Sequence, residues 1–166
     1  MHKSAYNHAK DFFSKYFIEG KILEVGSGYV NGSLRDHKPE NAEWIGIDIN
    51  SGINVDVILQ DPYSFPFEDG EFDCSLSSSV YEHTEFFWET FKEQCRCVKP
   101  GGYVYLNAPS KGRDHKFPVD CWRFYLDSSI ALSNWANRCG YSVKIIESKI
   151  DSSSEWGDFV AIFQRT

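Results

Sequence analysis

The sequence predicts a seven-stranded α/β fold, with a mostly parallel sheet, helices on both faces and an antiparallel last strand. Three observations carry this. The apolar run Lys21-Ile22-Leu23-Glu24-Val25 reads as a buried strand and ends in the glycine-rich turn Gly26-Ser27-Gly28-Tyr29-Val30-Asn31-Gly32, where a helix can start. A second run, Trp44-Ile45-Gly46-Ile47, ends on the carboxylate of Asp48. Near the C-terminus, the link around Ser152-Ser153-Ser154 suits a hairpin but cannot hold a crossover helix, so the strand after it should be antiparallel to its neighbour.

The elements follow in order. Ala5, Tyr6, Ala9, Phe12, Phe13, Tyr16 and Phe17 recur at helical spacing and predict a helix over residues 5–17, ended by Gly20. Strands are expected near 21–25, 44–48, 55–59, 72–77 and 102–107. The segment Asn31-Gly32-Ser33 can start a short helix, limited by Pro39. Thr84 is a plausible N-cap for a helix over 84–97 that turns Phe86, Phe87, Phe91 and Cys95 inward and stops at Lys99-Pro100-Gly101-Gly102. Asp127-Ser128-Ser129 opens a helix to Arg138-Cys139, with Gly140 as C-cap. Residues 141–148 and 158–164 supply the last two strands. Only six or seven residues separate Asp48 from the strand at Val55, too few for a helical crossover. Either residues 55–59 add a short parallel strand through a tight link, or they form no ladder; both give a trimmed sheet edge.

The bulk numbers narrow the function. At 166 residues and 42% hydrophobic, the chain can bury one ordinary core, so residues 1–166 are expected to form a single domain. A net charge of -7 and the short, acid-interrupted tract Lys111-Gly112-Arg113-Asp114-His115-Lys116 argue against a nucleic-acid groove. No stretch approaches the roughly 18–20 apolar residues of a membrane helix, and the polar N-terminus does not read as a signal peptide. The five cysteines, an odd number, read as reduced thiols of a cytoplasmic protein; Cys74 falls in a core strand, Cys95 and Cys97 in a helix. No cysteine–histidine spacing suggests zinc, and no metal is expected.

A carboxylate at a strand end beside a glycine turn suits a ribose, whose hydroxyls need acceptors, and this is the preferred reading of Asp48; the alternative is that Asp48 faces solvent and the glycines merely turn the chain. Four pieces in register extend this reading. They are Leu23-Glu24-Val25-Gly26-Ser27-Gly28, then Ile45-Gly46-Ile47-Asp48, then the run from Gln60-Asp61-Pro62-Tyr63 through Glu71-Phe72-Asp73, and finally Cys97-Val98-Lys99-Pro100-Gly101-Gly102 with the strand after it. Together they resemble the class I S-adenosylmethionine-dependent methyltransferases, closely over residues 20–109 and more loosely elsewhere. The resemblance implies a Rossmann-like methyltransferase sheet, S-adenosylmethionine as cofactor and S-adenosylhomocysteine as product. It places the cofactor on Glu24, Gly26, Ser27, Gly28, Asp48, Ile49, Asp61, Pro62 and Ser78. Glu24 would anchor the loop or receive the methionine ammonium through water. Asp61 would accept from the adenine amino group, or would cap its own loop. The chain departs from the usual pattern at Val30, where many members carry a third glycine, and in the short link after Asp48.

The segment from His115 to Phe124 resembles an H-x-x-P-x-D-x-W-R-F pattern of a compact subgroup associated with sugar or surface-polysaccharide modification. In so short a chain this loop would form most of the acceptor pocket. A histidine, with an ordinary pKa of about 6.5, suits hydroxyl deprotonation, so His115 is the preferred base or acceptor-orienting residue; the alternative is that it ties down the loop. His83 is the competing catalytic candidate. Among substrate-binding candidates, Arg123 could take an anionic group or pair with Asp120, and Trp122 could face a sugar ring or anchor the loop. The expected reaction is methyl transfer to a small polar acceptor, a hydroxyl of a sugar, sugar phosphate or related metabolite. The alternatives are a catalytically silent cofactor-binding module and, more remotely, a nucleotide-dependent oxidoreductase, which would not explain the Asp61 loop. No nucleic-acid partner or membrane insertion is expected; a homodimer is compatible with the sequence.

Overall fold

The computed structural model describes residues 2–166. Helix α1 (Lys3–Tyr16) is followed by β1 (Lys21–Val25), β2 (Glu43–Asp48), β3 (Val57–Ile58), β4 (Phe72–Ser78), α2 (Phe87–Cys97), β5 (Val98–Pro109), α3 (Leu126–Arg138), β6 (Val143–Asp151) and β7 (Asp158–Arg165). The seven strands form one sheet in the order β3-β2-β1-β4-β5-β7-β6. Strands β1 to β5 pair in parallel, and β7 lies antiparallel between β5 and β6, as the hairpin-length link required.

Side-chain alternation sorts the core onto two faces. In β7, Phe159, Ala161 and Phe163 join Phe91, Cys95, Leu132 and Ala136 of α2 and α3, while Val160 and Ile162 turn to Phe12 of α1 with Ile22, Leu76 and Tyr105. A third cluster under the β2–β1–β4 edge holds Leu23, Val25, Ile47, Phe65 and Phe72. All five cysteines are free, and Cys74, Cys95 and Cys97 are buried in the core.

Several boundaries differ from the sequence expectation. Helix α1 stops at Tyr16 because Phe17 takes the left-handed conformation (φ 43°); Gly20 instead turns the chain into β1, where Asp73 receives the Lys21 N–H. Thr84 does not cap α2. A 3-10 turn over Tyr81–His83 precedes it, the Thr84 hydroxyl donates back to the Val80 carbonyl at 2.9 Å, and the helix begins at Phe87. Phe86 is consequently half exposed, its ring tilted against Tyr63 rather than turned inward. The short helix after Ser33 is one 3-10 turn over Leu34–His37, and β5 starts directly at Val98, taking in the Lys99-Pro100-Gly101-Gly102 segment.

The shortened link after β2 resolves as the parallel alternative, a two-residue β3. Polar staples replace the missing helix. Asp56 accepts from the Gly46 N–H at 2.7 Å and returns its own N–H to the Gly46 carbonyl at 2.8 Å, while Arg35 pairs with Asp56 and donates to the Asn54 carbonyl. The link passes so close over Gly46 that a Cβ there would collide with the Asn54 carbonyl and the Ser27 side chain. Gly46→Ala should therefore destabilise the fold by roughly 1–3 kcal/mol through overpacking, read as a lowered urea midpoint; an unchanged midpoint would show that the link is free to lift away.

Candidate functional site

Strand β1 lies between β2 and β4, so connections leave it in opposite directions, and the crevice at the carboxyl ends of these strands is where open α/β sheets bind ligands. The glycine turn forms the floor of this crevice. Gly26 (φ 72°) and Ser27 both donate backbone N–H to the Ile47 carbonyl, at 2.8 and 3.1 Å. The space a Gly26 Cβ would need is filled by the Val80 side chain. Asp48 receives the Gly28 N–H at 3.1 Å on one oxygen and the Asn50 N–H at 3.2 Å on the other. Ser27 is buried, and its hydroxyl has no partner among the described residues.

Glu24 lies beneath the turn, 4% exposed, and accepts from the Trp44 indole N–H at 2.9 Å. That contact ties β1 to β2 beneath the turn. Burial pushes its carboxyl up to about 7, against about 4.3 for a free glutamate. A carboxyl raised on folding favours the native state below the unfolded value, and that contribution is lost as pH rises through the folded one. Glu24→Gln should thus gain on wild type between about pH 5 and about pH 8, compared by urea unfolding; parallel pH profiles would refute the assignment.

On the far side of the turn, Asp61 is exposed and caps its own loop through the Tyr63 N–H at 2.8 Å, with Pro62 half buried beside it. Arg96 of α2 braces this loop, donating to the Phe65 carbonyl at 2.9 Å and the Phe67 carbonyl at 2.7 Å, and Glu93 accepts the Phe65 N–H at 2.9 Å. Ile49 is exposed just after β2, as are Tyr29 and Ile53, which are joined by a backbone hydrogen bond of 3.1 Å. Ser78 donates to Asn107 at 3.2 Å across β4 and β5.

The loop over residues 111–124 folds back onto the end of β4. Phe124 N–H closes it on the Pro109 carbonyl at 2.9 Å, and Cys121 N–H reaches the Glu82 carbonyl at 2.6 Å. Asp120 and Arg123 pair with each other in a two-point contact of 2.6 and 2.8 Å, and Asp120 also accepts the His115 backbone N–H at 2.8 Å. The guanidinium beside it holds the Asp120 carboxyl well below the usual range. Trp122 anchors its indole N–H on the Thr84 carbonyl at 3.1 Å and packs edge-on against Phe87, with 38% of the residue still exposed.

This folding brings both histidine candidates together, ring centroids 4.9 Å apart and edge to face. The His83 Nδ1 lies 2.6 Å from the Val119 carbonyl, and partial burial lowers its pKa. His115 also packs on Trp156 at 4.5 Å. Sequence reasoning missed four neighbours: Glu82, 1% exposed and pushed up to about 8 by burial; Asp158, 2% exposed; Trp156; and Asn107. Glu82, Asp158, His115, Ser79 and Trp156 help line a cavity of ≈ 10 Å³, and Trp156 also borders a wider depression of ≈ 370 Å³ with Gly112, Arg113 and Glu155. The adjacency of Glu82 to His83 was the available signal; nothing local marks Asp158 as buried.

A family model described as a methyltransferase domain matches residues 23–106. No curated protein matches the chain. Among solved structures, the Burkholderia thailandensis 1,6-didemethyltoxoflavin-N1-methyltransferase, with bound 1,6-didemethyltoxoflavin and S-adenosylhomocysteine, is similar with a TM-score of 0.73 and 11% identity, over 99% of this chain and 79% of that one. A putative methyltransferase solved with the Haloferax volcanii Trm112 activator gives 0.67 and 17%, over 98% and 89%. The cyclase SpnF gives 0.70 and 16%, over 96% and 80%. At these identities the likeness is one of fold. No described helix is long and apolar enough to cross a membrane.

Proposed function

The chain belongs to the methyltransferase-domain family, and from that premise we propose that it transfers a methyl group from S-adenosylmethionine to a hydroxyl of a small polar acceptor. The acceptor class is a sugar, sugar phosphate or related metabolite, in keeping with the segment from His115 to Phe124. The observation that carries the reading is the continuity of the two halves of the site. Val80 packs into the space above Gly26, and the turn that follows it presents Glu82 and His83 to His115.

The residues at the turn fit such a cofactor. Gly26 makes the positive-φ turn under Val80, Asp48 offers carboxylate lone pairs beyond the two N–H groups it already accepts, and Tyr29, Ile49 and Ile53 leave apolar surface exposed where a purine could be covered. Glu24, Ser27, Asp61, Pro62 and Ser78 complete the proposed contact set. When bound, S-adenosylmethionine supplies a methyl group on a positively charged sulfur and leaves as the neutral thioether S-adenosylhomocysteine. His115 would orient the acceptor hydroxyl and take up its proton. His83 holds the His115 ring edge-on, and the depression beside Trp156 and Arg113 gives the acceptor room. Because the leaving group is already activated, positioning can supply most of the acceleration.

Asp48→Ala should weaken S-adenosylhomocysteine binding by roughly 1–3 kcal/mol, the scale of a charge-assisted hydrogen bond. Calorimetry showing unchanged affinity in the folded variant would remove Asp48 from the ribose site. Val30 in place of a third glycine and the two-residue β3 in place of a helical crossover keep the catalytically silent module as the second reading. Tight S-adenosylhomocysteine binding without turnover on any sugar or sugar phosphate of a broad panel would favour it, and preference for a nicotinamide dinucleotide would overturn both.

A further inference from the structure

We propose that Glu82, His83 and His115 form a binding site for one divalent transition-metal ion, zinc in the first instance, at the carboxyl end of β4. Each residue offers one ligand atom, and these atoms lie within 4.8 Å of one another. His83 Nε2 stands 3.7 Å from Glu82 Oε1, close to the about 3.4 Å between neighbouring ligands around tetrahedral zinc with bonds of about 2.1 Å. The His83 ring is set for this. Its Nδ1 lies against the Val119 carbonyl, which fixes the proton there and leaves the Nε2 lone pair facing Glu82; metal-binding histidines are held in the same way.

An independent observation points to a missing partner. Glu82 is 1% exposed, and its Oε2 has no hydrogen-bond partner among the described residues. Asp158, 2% exposed, likewise leaves Oδ2 without one, and Glu82 and Asp158 line, with His115 and His2, a cavity of ≈ 10 Å³, room for a single ion or water, which His83 adjoins through its neighbour Glu82. The guanidinium of Arg123, whose charge acts on Glu82, is engaged by Asp120, so among the described residues neither carboxylate has an arginine or lysine in ion-pair contact with it.

Two imidazoles and a carboxylate suit zinc, cobalt or nickel better than magnesium or calcium, which prefer oxygen-only shells. Three protein ligands leave a position open, as in catalytic rather than structural zinc sites. If the methyl-transfer reading holds, an acceptor hydroxyl coordinated there would lose its proton to solvent near neutral pH, and His115 would orient it by holding the ion rather than by taking the proton itself. The site does not depend on that reading.

The test uses the full chain, stripped with chelator and free of cofactor and acceptor, titrated with Zn²⁺ by calorimetry and with Co²⁺ by visible absorption. One equivalent should bind with micromolar or tighter affinity. Glu82→Gln and His83→Ala should each weaken it by roughly 10- to 100-fold or more, and bound Co²⁺ should show d–d bands without thiolate charge transfer. Absence of saturable binding overturns the proposal, as does undiminished binding in both folded variants. A thiolate-to-cobalt band abolished by Cys121→Ser also overturns it, by moving the ion to the exposed thiol. If either variant fails to fold, the wild-type cobalt spectrum decides. S-adenosylhomocysteine affinity, measured separately, reports on the cofactor reading alone.

Discussion

His115→Ala should lower kcat by roughly 10²- to 10⁴-fold and leave S-adenosylhomocysteine affinity nearly unchanged, measured by product release at saturating acceptor. The variant isolates the ring. His115 tethers the loop through its main-chain N–H to Asp120 at 2.8 Å, and alanine keeps that bond. What alanine removes is the imidazole between His83 and Trp156, whose buried Nδ1 lies 3.4 Å from Asp120 Oδ2 without a hydrogen bond among the described residues. If the ring matters only by packing, KM should rise and thermal stability fall together while kcat is largely preserved. Near-normal kcat in a folded H115A enzyme would exclude the ring from the chemical step, whether as base or as ion ligand. The base and ligand roles separate on metal dependence. Chelation of wild type should reproduce the loss if His115 acts through an ion, and should leave kcat untouched if it acts as the base.

The parts of this site that were legible in the sequence are those whose physics is local. A buried strand running into glycines, and a second strand ending on Asp48, can be read from periodicity and turn chemistry, and the crevice forms where they meet. The antiparallel β7 followed from link length alone. What failed were places where tertiary contact overrode a local signal. Thr84 has N-cap chemistry, but the 3-10 turn before it took its hydroxyl; Phe86 sits at helical spacing, yet the later start of α2 left it on the surface beside Tyr63. Glu82 and Asp158 were missed for a different reason. A carboxylate reads as a surface residue from sequence, and only the fold of residues 111–124 over β4 buries this pair. The pairing of Arg123 with Asp120 was one of two readings that i,i+3 spacing in a loop could not separate.

That pairing leads to the second large effect. Arg123→Ala should destabilise the chain by about 3 kcal/mol, the lower end for breaking a buried ion pair, because Asp120 is sealed from solvent while Arg123 keeps some exposure. With the guanidinium gone, the Asp120 carboxylate retains only the His115 N–H and the His115 Nδ1 at 3.4 Å, and the loop loses the bonds from Arg123 to the Arg113 and Trp122 carbonyls. The double variant D120A/R123A should recover part of the loss, since it leaves no unpaired buried charge. Arg123→Lys should not rescue fully, because an ammonium cannot reproduce the two-point contact. The pH dependence has a definite sign. Pairing lowers the Asp120 pKa on folding, so its stabilisation is complete above the unfolded value of about 3.9 and is lost as pH falls below it. The stability gap between wild type and R123A, from urea unfolding, should therefore be flat from about pH 5 to about pH 8 and shrink under more acidic conditions. Acceptor KM should rise with the loosened loop, while S-adenosylhomocysteine affinity, proposed above to depend on the glycine turn, should hold. If R123A instead raises KM only for anionic acceptors and leaves the urea midpoint unchanged, Arg123 is a direct ligand of the acceptor, and the loop is held by Trp122 and the Glu82 carbonyl without it.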